Sequence, residues 1–244
     1  MKNIRKKIVR WFRRRSKAEP ARKAATSGKP KRIRGRRDND VQLESRKSLR
    51  GTIVLNGKGN VIRFLEGSRF AGSITVNGND NLLEFGPHTK IRGQLILGGC
   101  GQKVTFGEQT TAVEILLICG EDQDVNIGRW CMFSRKIEIR TSDAHSVVDS
   151  KTGDRVNPAQ PVIIGDHVWV GLGVVISKGA RIPSDSIVGA MSFVNGGFEE
   201  EGVILAGAPA KIVRRGVTWN RDRRPHFTPE ELDGWKADGH PADS

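Results

Sequence analysis

From Ile164 an apolar residue returns at every sixth position, through Val170, Ile176, Ile182, Val188 and Val194. Two residues ahead of each stands a second small or branched side chain: Val162, Val168, Val174, Ala180, Ser186 and Ser192. Gly165, Gly171 and Gly189 follow three of the apolar positions. A strand alternates with period two and a helix repeats near 3.6 residues. A strict period of six fits neither over this length. It fits a solenoid of short strands joined by tight turns, each inward residue stacking on its counterpart one coil away.

The upstream half repeats with a different period. Blocks of 21 residues beginning at Gly51, Gly72, Gly93 and Glu114 align without gaps. One column then reads Ile53, Ile74, Leu95, Leu116, Ile137, and a second Leu55, Val76, Leu97, Ile118, Ile139. A third reads Phe64, Phe85, Phe106, Ile127, and a glycine column reads Gly57, Gly78, Gly99, Gly120. Three hexapeptides make one three-sided coil. The longer block is therefore such a coil with extra residues in the glycine-bearing turns, where positive φ is easily reached. A hydrophobic content of 36% with no Tyr is enough for the thin core of stacked coils. The expectation is an all-β chain, a parallel solenoid over 51–215 followed by a tail over 216–244. In that tail Thr228-Pro229-Glu230-Glu231 is a helix-start signal. It predicts a short helix to about Trp235, with Trp219 and Trp235 packed on the last coil as a cap.

Charge divides the chain. Residues 1–50 hold 20 basic and 4 acidic side chains, and residues 51–244 hold 21 and 23, so the excess of +14 belongs to the N-terminal arm. Within residues 2–17, Ile4, Ile8, Trp11 and Phe12 share one helical face amid arginines and lysines. That pattern suits an anionic membrane surface, ahead of a plain basic tail and of nucleic acid. Residues 18–50 read as a disordered tether. No apolar run reaches a spanning length and no apolar signal-peptide segment stands at the start. The expected place is the cytoplasm, peripheral on the inner membrane face. Cys100, Cys119 and Cys131 have no metal-type spacing and read as free thiols in a reducing compartment.

The repeat breaks once. The fifth coil reads Thr141-Ser142-Asp143-Ala144-His145-Ser146 where earlier coils have a glycine turn, and a polar excursion runs from Ser150 to Gln160. His145 is the natural general base, since imidazole titrates nearest neutral pH. Ser142, Asp143 and Asp149 are the candidates to orient its ring or meet an acceptor.

These residues resemble the hexapeptide-repeat acyltransferases, in particular their sugar and capsular-polysaccharide O-acetyltransferase branch, kin to galactoside and maltose acetyltransferases. The resemblance is carried by Cys131-Met132-Phe133-Ser134, by 141–146, by Pro161–Gly171 with its Gly165-Asp166-His167-Val168-Trp169, and by Ala206-Gly207-Ala208-Pro209-Ala210-Lys211. It implies a left-handed parallel β-helix, a homotrimer, and a site between subunits. It also implies acetyl-CoA as acyl donor, no metal, and a sugar or glycan hydroxyl as acceptor. By the same resemblance His145 is catalytic, Trp169 walls the site, and the Leu172 N–H holds the oxyanion. Coenzyme A then lies beside Ala190, with its phosphates at Lys211 and Arg214. Two departures stand out. The family's Thr-Lys-Asp loop is Asn195-Gly196-Gly197-Phe198 here, and Glu199, Glu200 and Glu201 make that loop acidic.

Other readings are an N-acyltransferase on an amino sugar, a non-catalytic structural solenoid, and a zinc carbonic anhydrase of the same architecture. The last needs three converging His ligands. His145 and His167 are about one coil apart in sequence and His88 about three coils away.

Overall fold

The structure, a computed structural model, describes residues 33–236. The expected amphipathic segment 2–17 and the first part of the tether, 18–32, lie outside the described residues. The described chain is a parallel β-solenoid of about eight turns with one short C-terminal helix. Among the described residues no helix is long and apolar enough to cross a membrane.

Each coil has three faces. Strands of faces A and B form one 13-stranded sheet, and face C forms a 7-stranded sheet. On face A the inward column is Phe70, Ile91, Ala112, Phe133, Val170 and Val188. On face B it is Ile74, Leu95, Leu117, Ile139, Ile176 and Val194. On face C it is Phe64, Phe85, Phe106, Ile127, Ile164 and Ile182. Every member of the hexapeptide column is buried, and so is every residue two positions ahead of it.

Arg69–Asn77 and Lys90–Gly98 are single strands that cross both A and B. They bend at Gly72 and Gly93, whose φ angles are 145° and 154°. A Cβ on Gly72 would overlap the carbonyl oxygen of Gly93, so only glycine lets the coils approach here. On face C the Phe64 and Phe85 rings stack at 4.5 Å, and Phe85 and Phe106 at 5.3 Å. At the edge between B and C an amide ladder runs up the coils. Asn39 Oδ1 accepts from the Asn60 side chain at 2.8 Å, and Asn60 Oδ1 from the Asn81 side chain at 2.9 Å. The Gln102 N–H then donates to Asn81 Oδ1 at 2.9 Å. These amides satisfy turn N–H groups that the parallel ladder leaves free.

Three sequence expectations move. The tether does not extend to residue 50: Asp40–Leu43 already pairs with Val61–Phe64, and Val41 is buried. Alternating apolar spacing across Val41, Leu43 and Leu49 is the signal for this first coil, and the basic composition masked it. The gap-free 21-residue alignment also slips. An extra residue enters between Ala112 and Ile115, so Leu95 pairs with Leu117 and not Leu116. Leu97 pairs with Cys119, and Gly98 rather than Gly99 pairs with Gly120. Leu116 and Ile118 face outward in consequence, and Ile139 follows Leu117. Finally, the helix Pro229–Asp233 has its Thr228/Glu231 capping box, but Trp219 and Trp235 do not cap the last coil. They stack on either side of His167, at 4.3 and 4.7 Å, along the edge between C and A.

Phe85→Ala removes the middle ring of the stack and should destabilise the solenoid by ~3–5 kcal/mol. Thr52→Ala, on an exposed strand position, should stay within about 0.5 kcal/mol. Denaturant unfolding of the two variants checks this; equal midpoints would show that the ring stack contributes little.

Candidate active site

The break in the repeat begins at a residue that belongs to the core. Thr141 is buried and takes the inward place one coil after Cys119. Its hydroxyl accepts from the Gly120 N–H at 2.8 Å and donates to the Gly120 carbonyl at 3.0 Å. The Gln160 N–H donates to the Thr141 carbonyl at 3.0 Å, closing the base of an excursion over 142–159. The loop leaves from the B/C edge.

Three clasps hold it there. Arg155 reaches Glu121 on the coil below at 2.6 and 3.1 Å, and the Ser142 hydroxyl donates to the same carboxylate. Asp143 Oδ2 meets Lys178 Nζ from the coil above at 2.7 Å. Asn157 ties the inside together. Its Nδ2 donates to Asp143 Oδ2 and to the His145 carbonyl, each at 2.8 Å, and its Oδ1 accepts from the Val147 N–H at 2.6 Å. The Arg155 and Ser142 hydrogen bonds hold the Glu121 carboxyl down at about 2. Lys178 and Asn157 likewise lower Asp143.

His145 sits exposed on this loop with its backbone fixed by Asn157, and among the described residues its ring makes no hydrogen bond. The two expected orienting carboxylates are engaged elsewhere. Asp143 is taken by Lys178 and Asn157. Asp149 builds the loop's turn, its Oδ1 accepting from the Lys151 and Thr152 N–H groups at 2.7 and 3.0 Å. The Thr152 and Lys151 N–H groups also lower its pKa. Asn157, Lys178 and Glu121 are the residues that sequence reasoning missed.

The remaining expected site residues lie on other parts of the coil. Trp169 projects from face A and is 40% exposed. Leu172, 46% exposed, occupies the A/B edge, and among the described residues its N–H has no acceptor. Ala190 stacks one coil above it, where the Met191 N–H donates to the Leu172 carbonyl at 2.8 Å. Lys211 and Arg214 are exposed on Ala210–Arg215, which pairs antiparallel with Val203–Gly207. Glu200, in the acidic loop, forms an ion pair with Arg215 at 2.9 Å. Within one chain, then, His145 and Leu172 flank opposite edges of face B.

The zinc alternative finds no support in the geometry of one chain. His167 is buried, with Nδ1 2.8 Å from Asp185 Oδ1 and both ring faces covered by tryptophan. It occupies the C/A edge and His145 the B/C edge, so within one chain the three histidines do not converge. Among the described residues no group of three His, Cys, Asp or Glu side chains is placed to hold a metal. Cys119 and Cys131 are buried, and burial pushes both thiols up to about 12, which removes them as nucleophiles. Cys100 is exposed.

No family model matches the chain. It is 32% identical over 101 residues to the polysialic acid O-acetyltransferase of Neisseria meningitidis, covering 41% of this chain and 47% of that protein. It is 35% identical over 98 residues to the polysialic acid O-acetyltransferase of Escherichia coli O1:K1, covering 40% and 32%. The chain thus spans half or less of the length of the curated relatives it matches. Among solved structures, the polysialic acid O-acetyltransferase OatWY superposes with a TM-score of 0.68 at 26% identity, over 81% of this chain and 96% of that one. The polysialic-acid-specific acetyltransferase NeuO gives 0.64 at 28% identity, over 78% and 79%.

Both of these curated relatives are named as O-acetyltransferases. The resemblance read from the hexapeptides is therefore matched by these relatives in sequence and in fold.

The clasps make a pH prediction. Glu121 is lowered on folding, so its clasp contributes fully above the ordinary carboxylate value and is lost as pH falls towards about 2. Loop amides over 142–159 should stay protected from hydrogen exchange at pH 4. Glu121→Ala or Asn157→Ala should raise their exchange at neutral pH while leaving the global melting midpoint little changed. Unaltered loop exchange in both variants would show that these contacts do not hold the loop.

Proposed function

We propose that this chain is an acetyl-CoA-dependent O-acetyltransferase acting on a polysaccharide hydroxyl, with His145 as general base. The observation that carries this reading is the anchored loop: it fixes the His145 backbone through Asn157 and leaves the ring free towards solvent. The O-acetylating homologues supply the reaction class, and their polysialic acid substrates support a glycan acceptor.

In this reading His145 takes the acceptor's proton as its oxygen attacks the thioester carbonyl. The Leu172 N–H receives the oxyanion. The carbon–sulfur bond breaks, and the thiolate of coenzyme A takes the proton back from imidazolium. An oxyanion donor must come within about 2.7–3.1 Å of the reacting oxygen. His145 and Leu172 stand on opposite edges of face B, so one chain cannot present both to the same carbonyl. A site between copies, with His145 from one and Leu172 from the next, meets the requirement. It supports the expected homotrimer. Trp169, Ala190, Lys211 and Arg214 then wall the site and hold the donor, and Ser142 and Asp143 serve through the loop clasps.

Acetyl transfer to a panel of sugars, amino sugars and polysaccharides tests the reading, an amino-sugar product marking the N-acyl alternative. His145→Ala should lower kcat by at least ~10²-fold, the lower range for base catalysis. Retention of a tenth of the wild-type rate would exclude His145 as the base. Lys211→Glu with Arg214→Glu should raise KM for acetyl-CoA and spare that of the acceptor, because their charges act on phosphates distant from the carbonyl.

The membrane placement belongs to the same proposal. Full-length protein should co-sediment with anionic liposomes at physiological salt, and a variant lacking residues 1–32 should not. Equal sedimentation of the two would remove the arm from that role.

A further inference from the structure

The folded body is close to neutral by count, yet its charge is unevenly placed. Face A of the first coils carries a groove of about 610 Å³ bearing Lys47, Arg50, Arg69, Lys90 and Arg92 over a floor that includes Ala71 and Val113. No carboxylate lines it. Among the described residues none of the five cations has an ion-pair partner. Arg69 and Lys90 are direct cross-strand neighbours, and like charges so placed repel. Face C of the same coils shows the opposite arrangement: there Arg63 stands beside Glu84 and pairs with it at 3.5 Å. Face A retains an electrostatic cost that an external anion would relieve.

The register puts the groove on the same face as Trp169, with the Arg221 guanidinium donating to the Thr111 hydroxyl at 2.9 Å between them. The outward row from Arg69 passes through Lys90, Thr111 and Met132 to Trp169. At ~4.8 Å per coil, Lys90 lies about 14 Å and Arg69 about 19 Å from Trp169 on the same face. A second outward row, Arg50, Ala71 and Arg92, runs alongside.

We propose that this groove is an acceptor-binding track for an acidic polysaccharide, whose repeated carboxylates or phosphates meet these five cations while a sugar hydroxyl lies at the transfer site. The reaction named here rests on the acetyltransferase reading, but the binding does not. A glycan is favoured over single-stranded nucleic acid because the groove exposes no aromatic ring for base stacking: Phe70, the aromatic residue in its lining, is 1% exposed. A concave site floored by small side chains also lacks the protruding apolar face with which a protein enters a bilayer.

The test is direct binding to the full-length protein, so that the N-terminal arm is the same in every sample. The probes are an α2,8-linked polymer of sialic acid, dextran of similar length, and a single-stranded oligonucleotide. The sialic acid polymer should bind, more weakly as salt rises, and dextran should bind far less. Arg69→Glu/Lys90→Glu/Arg92→Glu should weaken polymer binding by about tenfold or more. Arg69→Lys/Arg92→Lys should retain it, showing that charge rather than shape is read. Lys58→Glu/Lys103→Glu, away from face A, should bind like wild type. Wild-type binding by the face A triple variant overturns the proposal, as does an oligonucleotide that outcompetes the polymer through these residues. Groove-dependent binding without acetyl transfer would leave the track standing and refute the enzyme reading. Transfer to glycans that is indifferent to the triple variant would do the reverse.

Discussion

The parallel coil-to-coil backbone ladder is the constraint on which everything else in this chain depends. Backbone hydrogen bonds to the residues flanking its counterpart hold each strand residue beside that counterpart one coil away, so side chains stack on like positions and a single wrong residue is felt in both neighbours. That is why Phe64, Phe85 and Phe106 form one ring stack, and why Asn39, Asn60 and Asn81 form one amide ladder. The same ladder forbids a side chain at Gly72, where the coils close on one another. It also transmits position: a residue's height in the solenoid and its face are fixed once its register is known. Loop 142–159 is placed by this rule. Thr141 locks into the inward column, and the loop must leave from the B/C edge between the coils that offer Glu121 and Lys178.

Much of the fold was legible because stacking writes a period into the sequence. The hexapeptide column from Ile164 to Val194 is buried throughout, since strict spacing leaves no freedom in which residues face inward. The 21-residue half was legible only to the point where the ladder tolerates a bulge. One extra residue between Ala112 and Ile115 rotates the strand and turns Leu117 and Cys119 inward. Apolar Leu116 and Ile118 kept the wrong columns plausible, because alternate positions of this strand are apolar on both sides. The first coil was hidden for a different reason. Its inward residues, Val41 and Leu49 among them, are spaced among arginines and lysines whose side chains point to solvent.

The site was legible as a location and less so as a set of contacts. His145 falls at the one interruption of the repeat, and a period makes its own violation conspicuous. The clasp residues could not be read this way. Glu121 and Arg155 are far apart in sequence, as are Asp143 and Lys178, and only the ladder brings them to one edge. A carboxylate close in sequence was the natural partner to assign to His145. Asp149 instead spends its acceptor capacity on the N–H groups of its own turn, a local competition that short polar side chains commonly win.

The ladder also sets what one copy of this chain can do. A solenoid presents edges and faces, and residues on different edges are separated by the core that makes the fold stable. His145 on one edge and Leu172 on another cannot be drawn together without unstacking the coils between them. If both act on one carbonyl, as proposed, the cheaper solution is to set the edge of one copy against the edge of the next. A cleft between copies excludes water without any cavity in the thin core, and it leaves whole faces available for a long substrate. On face A the outward row runs from arginines and lysines that have no ion-pair partner among the described residues, past Arg221 on Thr111, to an exposed tryptophan. The repeat that gives the protein its stability thus also supplies evenly spaced positions for the repeating polymer proposed above.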